Sequence, residues 1–394
     1  MSQPRALLAT IPPYSGGVPQ MTRFIADTLK CAGIQPVLSY YEPYSLSPNL
    51  SVPGFQLLGK QIGCEKRKEL NGYESFAIGA WLPELEFTHY LPTKIWRNLM
   101  ESCDYYISIS GNCLAGLPFT LKDKKFIAWV ASSWAADRED RVNAFPWHRK
   151  ILDKVVNTPV TRYMERKVLN KGKVLALSRY TRSSLNAVAG QNICNGILPM
   201  PIDSDTLNPS PARIQAGKIG FVGRIDDPRK NIELFVRTIA RCRELNKDIT
   251  SVVVGGEPSP SILNLVESLG LKNSVEFVRY VKHSKLVSLL QTLDVFVIPS
   301  HQEGLCIAAL EAMACGCPVI STRCGGPEEF VHDGETGYLV DSDSNAMADK
   351  ILEVVQDREL RNRLSANVRD LVLTNYSKAS ALDAFWKALN DTYH

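Results

Sequence analysis

The stretch 294–326, DVFVIPSHQEGLCIAALEAMACGCPVISTRCGG, contains a strand, a turn, a helix and a second strand in succession. Its apolar run 295–298 is bounded by turn residues, which is typical of a buried strand. The Ala- and Leu-rich run after it predicts a helix that Gly316 ends, and the next strand begins at Pro318. Open α/β sheets hold anionic ligands where strands end and helices begin, so we expect a site in this stretch.

The alternation of strand, loop and helix continues on both sides of this stretch. Buried-strand patterns predict eleven strands, at residues 5–10, 37–41, 105–110, 125–130, 173–177, 218–222, 251–254, 275–278, 295–298, 318–321 and 338–340. Residues 43–100 are punctuated by prolines and predict no regular element. The alternation predicts an α/β fold with doubly wound parallel sheets that carry helices on both faces.

The length of 394 residues suits two domains rather than one core. Residues 198–213 contain four prolines and little periodicity, so we interpret them as a linker. The predicted domains are residues 1–197, completed by a C-terminal helix at 376–394, and residues 214–375. Two such domains facing each other would enclose a cleft, which is the usual place for a ligand.

The composition is that of a soluble globular protein, with 45% hydrophobic and 22% charged residues. A net charge of +4 does not indicate a nucleic-acid binder. The sequence contains no apolar stretch of the roughly 18 residues that a membrane span needs, and no signal-peptide pattern. The ten cysteines indicate free thiols in a reducing compartment, so we expect a cytoplasmic protein. Metal binding at Cys315 and Cys317 is the less favoured alternative, because the spacing is not a zinc pattern.

Residues 148–182 are unusually basic, with ten Lys and Arg against two acidic residues. A solvated helix face is one interpretation of this charge. The other is attraction to an anionic membrane surface or to a phosphorylated acceptor, which would place the protein peripherally at the inner face of a membrane.

Arg224 and Lys230 lie in the loop that follows the first strand of the second predicted domain. A guanidinium, an ammonium and the backbone N–H groups of a helix N-terminus together suit a diphosphate. Two solvated surface cations are the alternative. The Gly16-Gly17 loop after the first strand of the chain has a similar ambiguity, between a tight turn and close backbone approach to a ligand.

Glu303 and Glu311 are eight residues apart, which is about 12 Å along the axis if the whole interval is helical. That separation exceeds the roughly 5 Å between the paired carboxylates of a retaining glycosidase. It suits two carboxylates that hold different parts of one elongated ligand. Two ordinary glutamates near a helix end are the alternative.

The run EGLCIAALEAMACGCPVIST at 303–322 resembles the Glu-x7-Glu signature of retaining glycosyltransferases with the GT-B fold, family 4 (glycosyltransferase group 1). VGRIDDPRKN at 222–231 is similar to the phosphate-binding loop of that family. Further similar runs are ALSRYTR (176–182), ILPMPID (197–203), CGGPEE (324–329), DGETGYLV (333–340) and the Gly-Gly-Val at 16–18. The resemblance is strong over about 170–345 and loose over 1–150.

The resemblance implies a role for each matching residue. Glu303, Arg224 and Lys230 would be catalytic, with Glu303 facing the donor sugar and the two cations holding the diphosphate. Glu311 would bind the ribose of the nucleotide. The remaining donor-binding residues would be Gly16, Gly17, Gly223, Tyr280, Val281, Gly304, Leu305 and Cys306.

The resemblance also implies the reaction. A hexose-type sugar would move, with retention, from a UDP- or GDP-linked donor to a hydroxyl of a glycan, glycolipid or glycoconjugate precursor. No cofactor and no metal are expected, and Asp341-Ser342-Asp343 is interpreted as a loop. The alternatives are a nucleotide-sugar epimerase or other GT-B enzyme, and a non-catalytic module that binds sugar nucleotides.

One residue of the family pattern is absent. Many relatives have a His after the strand that corresponds to 125–130, but the sequence here is FIAWVASSWAADRED. Ser132, Ser133, Trp134 and Asp137 are the candidates to line that position.

Overall fold

The computed structural model describes residues 3–14, 16–56, 60–70, 72–143 and 146–394, without the side chains of residues 137, 139–141, 143 and 148. The chain divides into two compact units. The first unit comprises residues 1–198 and 382–394, and the second unit comprises residues 199–381. Each unit is an α/β domain with its own sheet and its own hydrophobic core.

The first unit is built on an eight-stranded sheet in the order β3-β4-β2-β1-β5-β6-β7-β8. Its strands are β1 (Arg5–Thr10), β2 (Gln35–Tyr41), β3 (Cys64–Glu69), β4 (Tyr73–Ile78), β5 (Tyr105–Ser110), β6 (Ile127–Val130), β7 (Lys173–Ala176) and β8 (Cys194–Ile197). Neighbouring strands are parallel except β3 and β4, which pair antiparallel at the edge. The central strands are buried on both faces, as helix-covered parallel sheets require.

Helices cover both faces of this sheet. They are α1 (Gly17–Cys31), α2 (Lys94–Glu101), α3 (Leu117–Leu121), α4 (Trp134–Asn143), α5 (Trp147–Leu152), α6 (Thr158–Lys171) and α7 (Arg179–Ala189). A π-helical turn, Asp153–Asn157, joins α5 to α6 without a break. None of the described helices is both long enough and apolar enough to cross a bilayer.

The second unit is built on six parallel strands in the order β11-β10-β9-β12-β13-β14. The strands are β9 (Lys218–Val222), β10 (Thr250–Val254), β11 (Val275–Val278), β12 (Val295–Ile298), β13 (Val319–Thr322) and β14 (Gly337–Val340). The helices are α8 (Ile232–Leu245), α9 (Pro260–Ser268), α10 (His283–Leu290), α11 (Ile307–Ala314), α12 (Ser344–Gln356) and α13 (Arg358–Asn375). A last helix, α14 (Lys378–Tyr393), begins in the second unit and ends in the first.

All eleven predicted strands are present, with boundaries that move by one or two residues. Three strands were not predicted: β3, β4 and β8. The antiparallel β3–β4 pair corrects the expectation of purely parallel sheets. The sequence of β3, CEKRKE, contains no apolar run because the strand lies at an exposed edge of the sheet.

The proline-rich segment 198–213 lies against the second unit. The Ile202 N–H donates to the Tyr376 carbonyl (2.9 Å), and Gln291 Nε2 donates to the Asn208 carbonyl (2.9 Å). Arg369 donates through Nη2 to the Ser204 carbonyl (2.9 Å). These bonds hold irregular backbone that no strand or helix would otherwise pair.

A buried ion pair fixes the start of the stretch 294–326. Arg361 Nε lies 3.0 Å from Asp294 Oδ1, and the other carboxylate oxygen accepts from the Gly217 N–H at 3.0 Å. Asp294 immediately precedes β12 and Gly217 immediately precedes β9. The pair therefore ties helix α13 to the amino ends of two neighbouring strands, at the edge opposite to the predicted site.

His89 is packed face to face on Tyr41 at the carboxyl end of β2, with ring centroids 3.9 Å apart. Its Nε2 lies 3.0 Å from the Pro83 carbonyl oxygen. Burial of the imidazole lowers the pKa of His89, and the bond to Pro83 and the Glu86 carboxylate oppose that effect only in part. The neutral imidazole is therefore the form that the folded state favours.

Because the pKa of His89 is lower in the folded state, the unfolded state binds more protons as the pH falls below about 6.5. We expect the free energy of unfolding to decrease between about pH 7 and pH 5, and His89→Phe to make that decrease smaller. Urea unfolding at the two pH values measures the difference. His283→Phe, at an exposed position of the second unit, is the control. An unchanged pH dependence in His89→Phe contradicts the prediction.

Candidate functional site

Two loops meet at the carboxyl edge of the second sheet. One follows β9 and contains residues 223–231, and the other follows β12 and contains residues 299–306. β9 and β12 are hydrogen-bonded parallel neighbours, so their carboxyl ends lie side by side. The sheet order therefore brings together two groups of residues that are about 70 positions apart in the sequence.

Lys230 and Glu303 form an ion pair between these loops. Lys230 Nζ lies 2.6 Å from Glu303 Oε1, and the Ser300 hydroxyl donates to the same oxygen at 2.8 Å. Both side chains are mostly buried. Burial disfavours the charged ammonium, but the Glu303 carboxylate outweighs burial and raises the pKa of Lys230. Lys230 therefore keeps its positive charge at neutral pH, paired with Glu303 at the carboxyl edge of the sheet.

The backbone of Glu303 is fixed as firmly as its side chain. Its N–H donates to the Cys324 carbonyl (2.8 Å), and its carbonyl accepts from the Gly326 N–H (2.9 Å). These bonds join the loop after β12 to the loop after β13. A Cβ on Gly326 would lie 2.3 Å from the Gly304 carbonyl oxygen, so only glycine permits this approach. The Glu303 carboxylate is thus presented from a rigid crossing of two loops.

Arg224 is held by a carboxylate of its own loop. Its Nη2 lies 2.9 Å from Asp227 Oδ2, while Arg229 binds both oxygens of Asp227 through Nε (3.1 Å) and Nη2 (2.7 Å). Burial disfavours the Asp227 carboxylate, but Arg229 and Arg224 outweigh it and lower the pKa of Asp227. The Arg224 side chain is half exposed, with 49% of its surface open to solvent. Its guanidinium is therefore oriented but accessible.

Arg229 connects the two loops a second time. Its Nη1 donates to Gln302 Oε1 (3.3 Å), and its carbonyl accepts from the His301 N–H (2.8 Å). Ser300, Asp227 and Arg229 were absent from the predicted site. Two acids among three basic residues at 224–230 were the available signal for a local ion-pair network.

The predicted sugar-binding backbone leads into helix α11. Leu305 is buried, and Cys306 precedes the helix with a φ of 67°, a left-handed conformation that non-glycine residues seldom adopt. Such conformations are often found at ligand sites. Burial raises the pKa of the Cys306 thiol well above its ordinary value, so the thiol is not a ready nucleophile.

Glu311 lies in the second half of α11 and is buried. The helix begins at Ile307, so the interval from Glu303 to Glu311 is not helical throughout. This corrects the separation of about 12 Å, which assumed a continuous helix. The two carboxylates still lie on different elements: Glu303 lies in the loop after β12, and Glu311 lies in helix α11.

Gly223, Tyr280 and Val281 complete the predicted donor site within the second unit. Gly223 immediately follows β9. A Cβ on Gly255, in the loop after β10, would lie 2.0 Å from the Gly223 carbonyl oxygen, so the two loops approach each other closely. Tyr280 and Val281 follow the edge strand β11, and Tyr280 has 63% of its surface exposed. An exposed aromatic ring at the same edge of the sheet has a free face for stacking.

Gly16 and Gly17 belong to the first unit, where they begin helix α1. Gly16 has a φ of 103° and caps α1, whose first residue is Gly17. The preceding Tyr14 hydroxyl donates to the Glu42 carboxylate at 2.7 Å, and Arg67 Nη1 lies 3.3 Å from the same carboxylate. Glu42 is buried at the carboxyl end of β2. This network, which the sequence did not reveal, anchors the start of the glycine loop.

The position after β6, where the family pattern has a His, contains buried polar groups. The Ser133 hydroxyl accepts from Ser184 Oγ (2.9 Å), and the Trp134 N–H donates to Glu165 Oε1 (2.8 Å). Burial raises the pKa of Glu165. The side chain of Asp137 lies outside the described residues. Ser132, Ser133 and Trp134 are buried at the end of the strand, and Glu165 is an additional carboxylate beside them.

The predicted absence of a metal site stays a prediction. Among the side chains that the structure describes, no three His, Cys, Asp or Glu residues cluster in a metal-binding arrangement. Asp343, the last residue of the Asp-x-Asp sequence, accepts from the N–H groups of Asn345 and Ala346 and so caps helix α12. Capping accounts for its position without a metal ligand.

Residues 208–371, most of the second unit, match the family described as glycosyl transferases group 1. A GDP-mannose-dependent α-(1-6)-phosphatidylinositol monomannoside mannosyltransferase from Mycolicibacterium smegmatis is 31% identical over 238 residues, 55% of this chain and 62% of that protein. A D-inositol 3-phosphate glycosyltransferase from Corynebacterium urealyticum is 36% identical over 38% of this chain and 37% of its own length. The chain thus spans less than two thirds of the length of these relatives.

Solved structures resemble the whole chain. Sucrose-phosphate synthase from Thermosynechococcus elongatus superposes with a TM-score of 0.73 at 20% identity, covering 99% of both chains. Anabaena HepE in complex with UDP superposes with a TM-score of 0.70 at 13% identity, covering 98% of this chain and 100% of its own. The fold is therefore the two-domain GT-B fold, as predicted.

The buried pair of Lys230 and Glu303 predicts a strong energetic coupling. We expect Lys230→Met and Glu303→Gln each to lower the free energy of unfolding, because each leaves one partner buried without its counter-charge. In the double-mutant cycle the coupling should be about 2 to 3 kcal/mol. Urea unfolding of the four proteins measures it.

The exposed pair of Arg237 and Glu233, on one face of α8, is the matched control for this cycle. Its coupling should lie within about 0.5 kcal/mol of zero, because water screens both charges. Equal coupling in the two pairs would show that burial does not strengthen the pair of Lys230 and Glu303.

Proposed function

We propose that the chain is a glycosyltransferase that uses a nucleotide diphosphate sugar, because residues 208–371 match the glycosyl transferases group 1 family. A hexose-type sugar moves to the hydroxyl of an acceptor. The observation that carries the proposal is the mostly buried ion pair of Lys230 and Glu303 at the carboxyl edge of the second sheet. It joins one cation and one carboxylate where the predicted diphosphate and sugar meet.

The donor diphosphate is held by Arg224 and Lys230. An ammonium has three donors, and Lys230 directs one at Glu303 Oε1, so two are directed elsewhere. Arg224 has an accessible guanidinium whose fork matches phosphate oxygens, and Asp227 fixes its orientation. Both cations act most strongly as charge develops on the departing diphosphate, because they are oriented before the reaction begins.

Glu303 faces the sugar and Glu311 faces the ribose in this proposal. Support for Glu303 comes from its rigid setting, since Ser300, Cys324 and Gly326 fix its side chain and backbone. Gly304, Leu305 and Cys306 contribute backbone groups at the start of α11. Tyr280 and Val281 border the base. Gly16 and Gly17, in the first unit, stay predicted donor-binding residues.

We propose that transfer retains the anomeric configuration. The bond from the anomeric carbon to the diphosphate oxygen breaks, and the acceptor oxygen bonds to the same face of that carbon. The acceptor hydroxyl proton passes to the departing diphosphate, so no separate base is needed. The arrangement of cations around the diphosphate supports this route, since stabilising the leaving group is its main requirement.

The names of similar proteins indicate the substrate classes. The Mycolicibacterium relative is named for GDP-mannose and a phosphatidylinositol monomannoside, and the HepE structure contains UDP. GDP- and UDP-linked hexoses are both candidate donors for this chain. A glycan, glycolipid or glycoconjugate precursor is the candidate acceptor, bound at the first unit.

No metal and no cofactor take part in the proposed reaction, because Arg224 and Lys230 supply the positive charge that a metal would otherwise provide. The proposed location is the cytoplasm. The basic segment 148–182 is proposed to contact an anionic membrane peripherally, since opposite charges attract at such a surface.

We expect Glu303→Gln, Arg224→Ala and Lys230→Ala each to reduce transfer by about 100-fold or more, because each removes an oriented charge from the reacting groups. A radiolabelled donor panel of UDP- and GDP-hexoses with glycan and glycolipid acceptors provides the assay. Matched controls are Glu267→Gln and Arg237→Ala, which are exposed on α9 and α8. Full transfer by the three site variants rejects the assignment of these residues. Conversion of the donor without any acceptor favours an epimerase.

The stereochemistry of the product tests retention independently. Proton NMR of the newly made glycoside, taken before it can equilibrate, should show the same anomeric configuration as the donor. The inverted configuration would exclude front-face transfer, whichever residues prove to be essential.

A further inference from the structure

An apolar stripe runs along the helices that follow the carboxyl end of β6. Helix α5, the π-helical turn and helix α6 form one continuous run from Trp147 to Lys171. Every fourth residue of its first part is apolar or aromatic: Trp147, Ile151, Val155, Pro159 and Tyr163. Residues four apart are neighbours on a helix surface, so these five side chains, the apolar stripe, line one face over about 24 Å.

The apolar stripe is exposed. Trp147 has 75% of its surface open to solvent and Val155 has 67%, and the other members are exposed as well. Leu152 lies beside the stripe and is exposed too. Of the fourteen large hydrophobic side chains that are exposed among the described residues, five lie within 147–163. Single exposed apolar residues need no explanation, but a contiguous group indicates an interaction surface.

Basic side chains flank the apolar stripe. Seven are exposed along the same run: Arg149, Lys150, Lys154, Arg162, Arg166, Lys167 and Lys171. The two acidic residues of the run, Asp153 and Glu165, are buried. Lys167 Nζ lies 5.1 Å from the centre of the Tyr163 ring, which places a charge directly beside the stripe. Among the described side chains of this run, the exposed face therefore has apolar and cationic groups and no acid.

We propose that this face is a docking surface for an anionic phospholipid bilayer. A helix with an apolar stripe and flanking Lys and Arg lies in the plane of such a membrane, with its apolar side in the acyl boundary. Trp and Tyr favour the headgroup level, and they stand at the two ends of the stripe. The cations match the negative charge of the lipid headgroups.

The docking surface is rigidly connected to the carboxyl edge of the first sheet. Arg138 on α4 binds Asp153 through both nitrogens, at 2.8 and 2.6 Å, and the Glu86 carboxylate at 3.2 Å. Trp134, the first residue of α4, donates its Nε1–H to the same Glu86 (2.7 Å) and stacks under the Arg138 guanidinium. One buried network thus joins the end of β6 to the π-helical turn in the middle of the apolar stripe.

From this connection we infer the chemical class of the acceptor, and this inference rests on the proposed transferase function. Acceptor contacts are expected at the carboxyl edge of the first sheet, and the network holds that edge close to the membrane-facing run. The acceptor is accordingly a lipid whose hydroxyl-bearing headgroup projects from the bilayer. A water-soluble glycan would gain nothing from this surface.

Co-sedimentation of the full chain with vesicles tests the docking surface. The probes are vesicles of phosphatidylcholine alone and of phosphatidylcholine with phosphatidylserine in equal parts. We expect binding to the mixed vesicles only, weakening as salt is added because exposed charges are screened. Ile151→Ser with Val155→Ser should weaken binding about tenfold or more, through the loss of apolar transfer energy. Lys150→Glu with Lys154→Glu should abolish it.

Matched controls exist in the second unit. Leu245→Ser with Leu263→Ser removes two equally exposed apolar side chains, and Lys247→Glu with Lys272→Glu reverses two exposed charges. Both controls should bind the mixed vesicles like the parent protein. The proposal is overturned if the parent ignores the mixed vesicles or binds both kinds equally. It is also overturned if the control variants bind the mixed vesicles as weakly as the stripe variants do. A third contrary result would be a parent protein that forms a dimer, does not bind vesicles, and becomes monomeric when the two serine substitutions are made.

Failure of this proposal is distinguishable from failure of the proposed function. Glu303→Gln should bind vesicles normally while losing transfer. The variant carrying Ile151→Ser and Val155→Ser should keep its thermal shift with nucleotide sugars and its transfer to detergent-dispersed acceptor, but lose transfer to acceptor embedded in the mixed vesicles. Equal transfer to embedded acceptor by that variant rejects the lipid-acceptor assignment alone.

Discussion

The site depends on the ion pair between Lys230 and Glu303, and the ion pair depends on the order of two strands. β9 and β12 are neighbours in the sheet although three helices and two strands separate them in the sequence. Parallel neighbours end at the same edge, so the loops that follow them must meet. A lysine in one loop and a glutamate in the other are then mostly buried and lie within ion-pair distance of each other. The pairing is therefore a consequence of topology as much as of the two side chains.

The strands and the cationic loop were predictable because their signals are local. Runs such as Val295–Ile298 are continuous and apolar, since helices cover both faces of the sheet, and turn residues bound them. Arg224, Lys230, Glu303 and Glu311 could be proposed from the sequence because they follow strands or lie on the next helix. β3 was not predicted because an exposed edge strand needs no apolar face. β8 was not predicted because its four residues, which include a glycine, show almost no hydrophobic pattern.

The contacts that orient the site could not be predicted, since each joins residues distant in the sequence. The hydrogen bond between Tyr14 and Glu42 forms because β1 and β2 are neighbours in the sheet. The backbone bond between Glu303 and Gly326 forms because β12 and β13 are neighbours. The spacing of Glu303 and Glu311 could not give their separation for a related reason. A count of residues converts to a distance only within one element, and here the helix begins four residues after Glu303. Backbone conformation at Cys306 decides where that helix starts.

The π-helical turn explains how the apolar stripe keeps to one face. At 3.6 residues per turn, every fourth residue of an α-helix lies about 40° further round the axis, so a long stripe of this spacing would wind away from a flat surface. A π-turn has i→i+5 hydrogen bonds and rotates less per residue, which reverses part of that drift. The turn Asp153–Asn157 lies in the middle of the stripe, and its Asp153 is the residue that Arg138 binds. The same five residues thus flatten the docking surface and fasten it to the carboxyl edge of the first sheet.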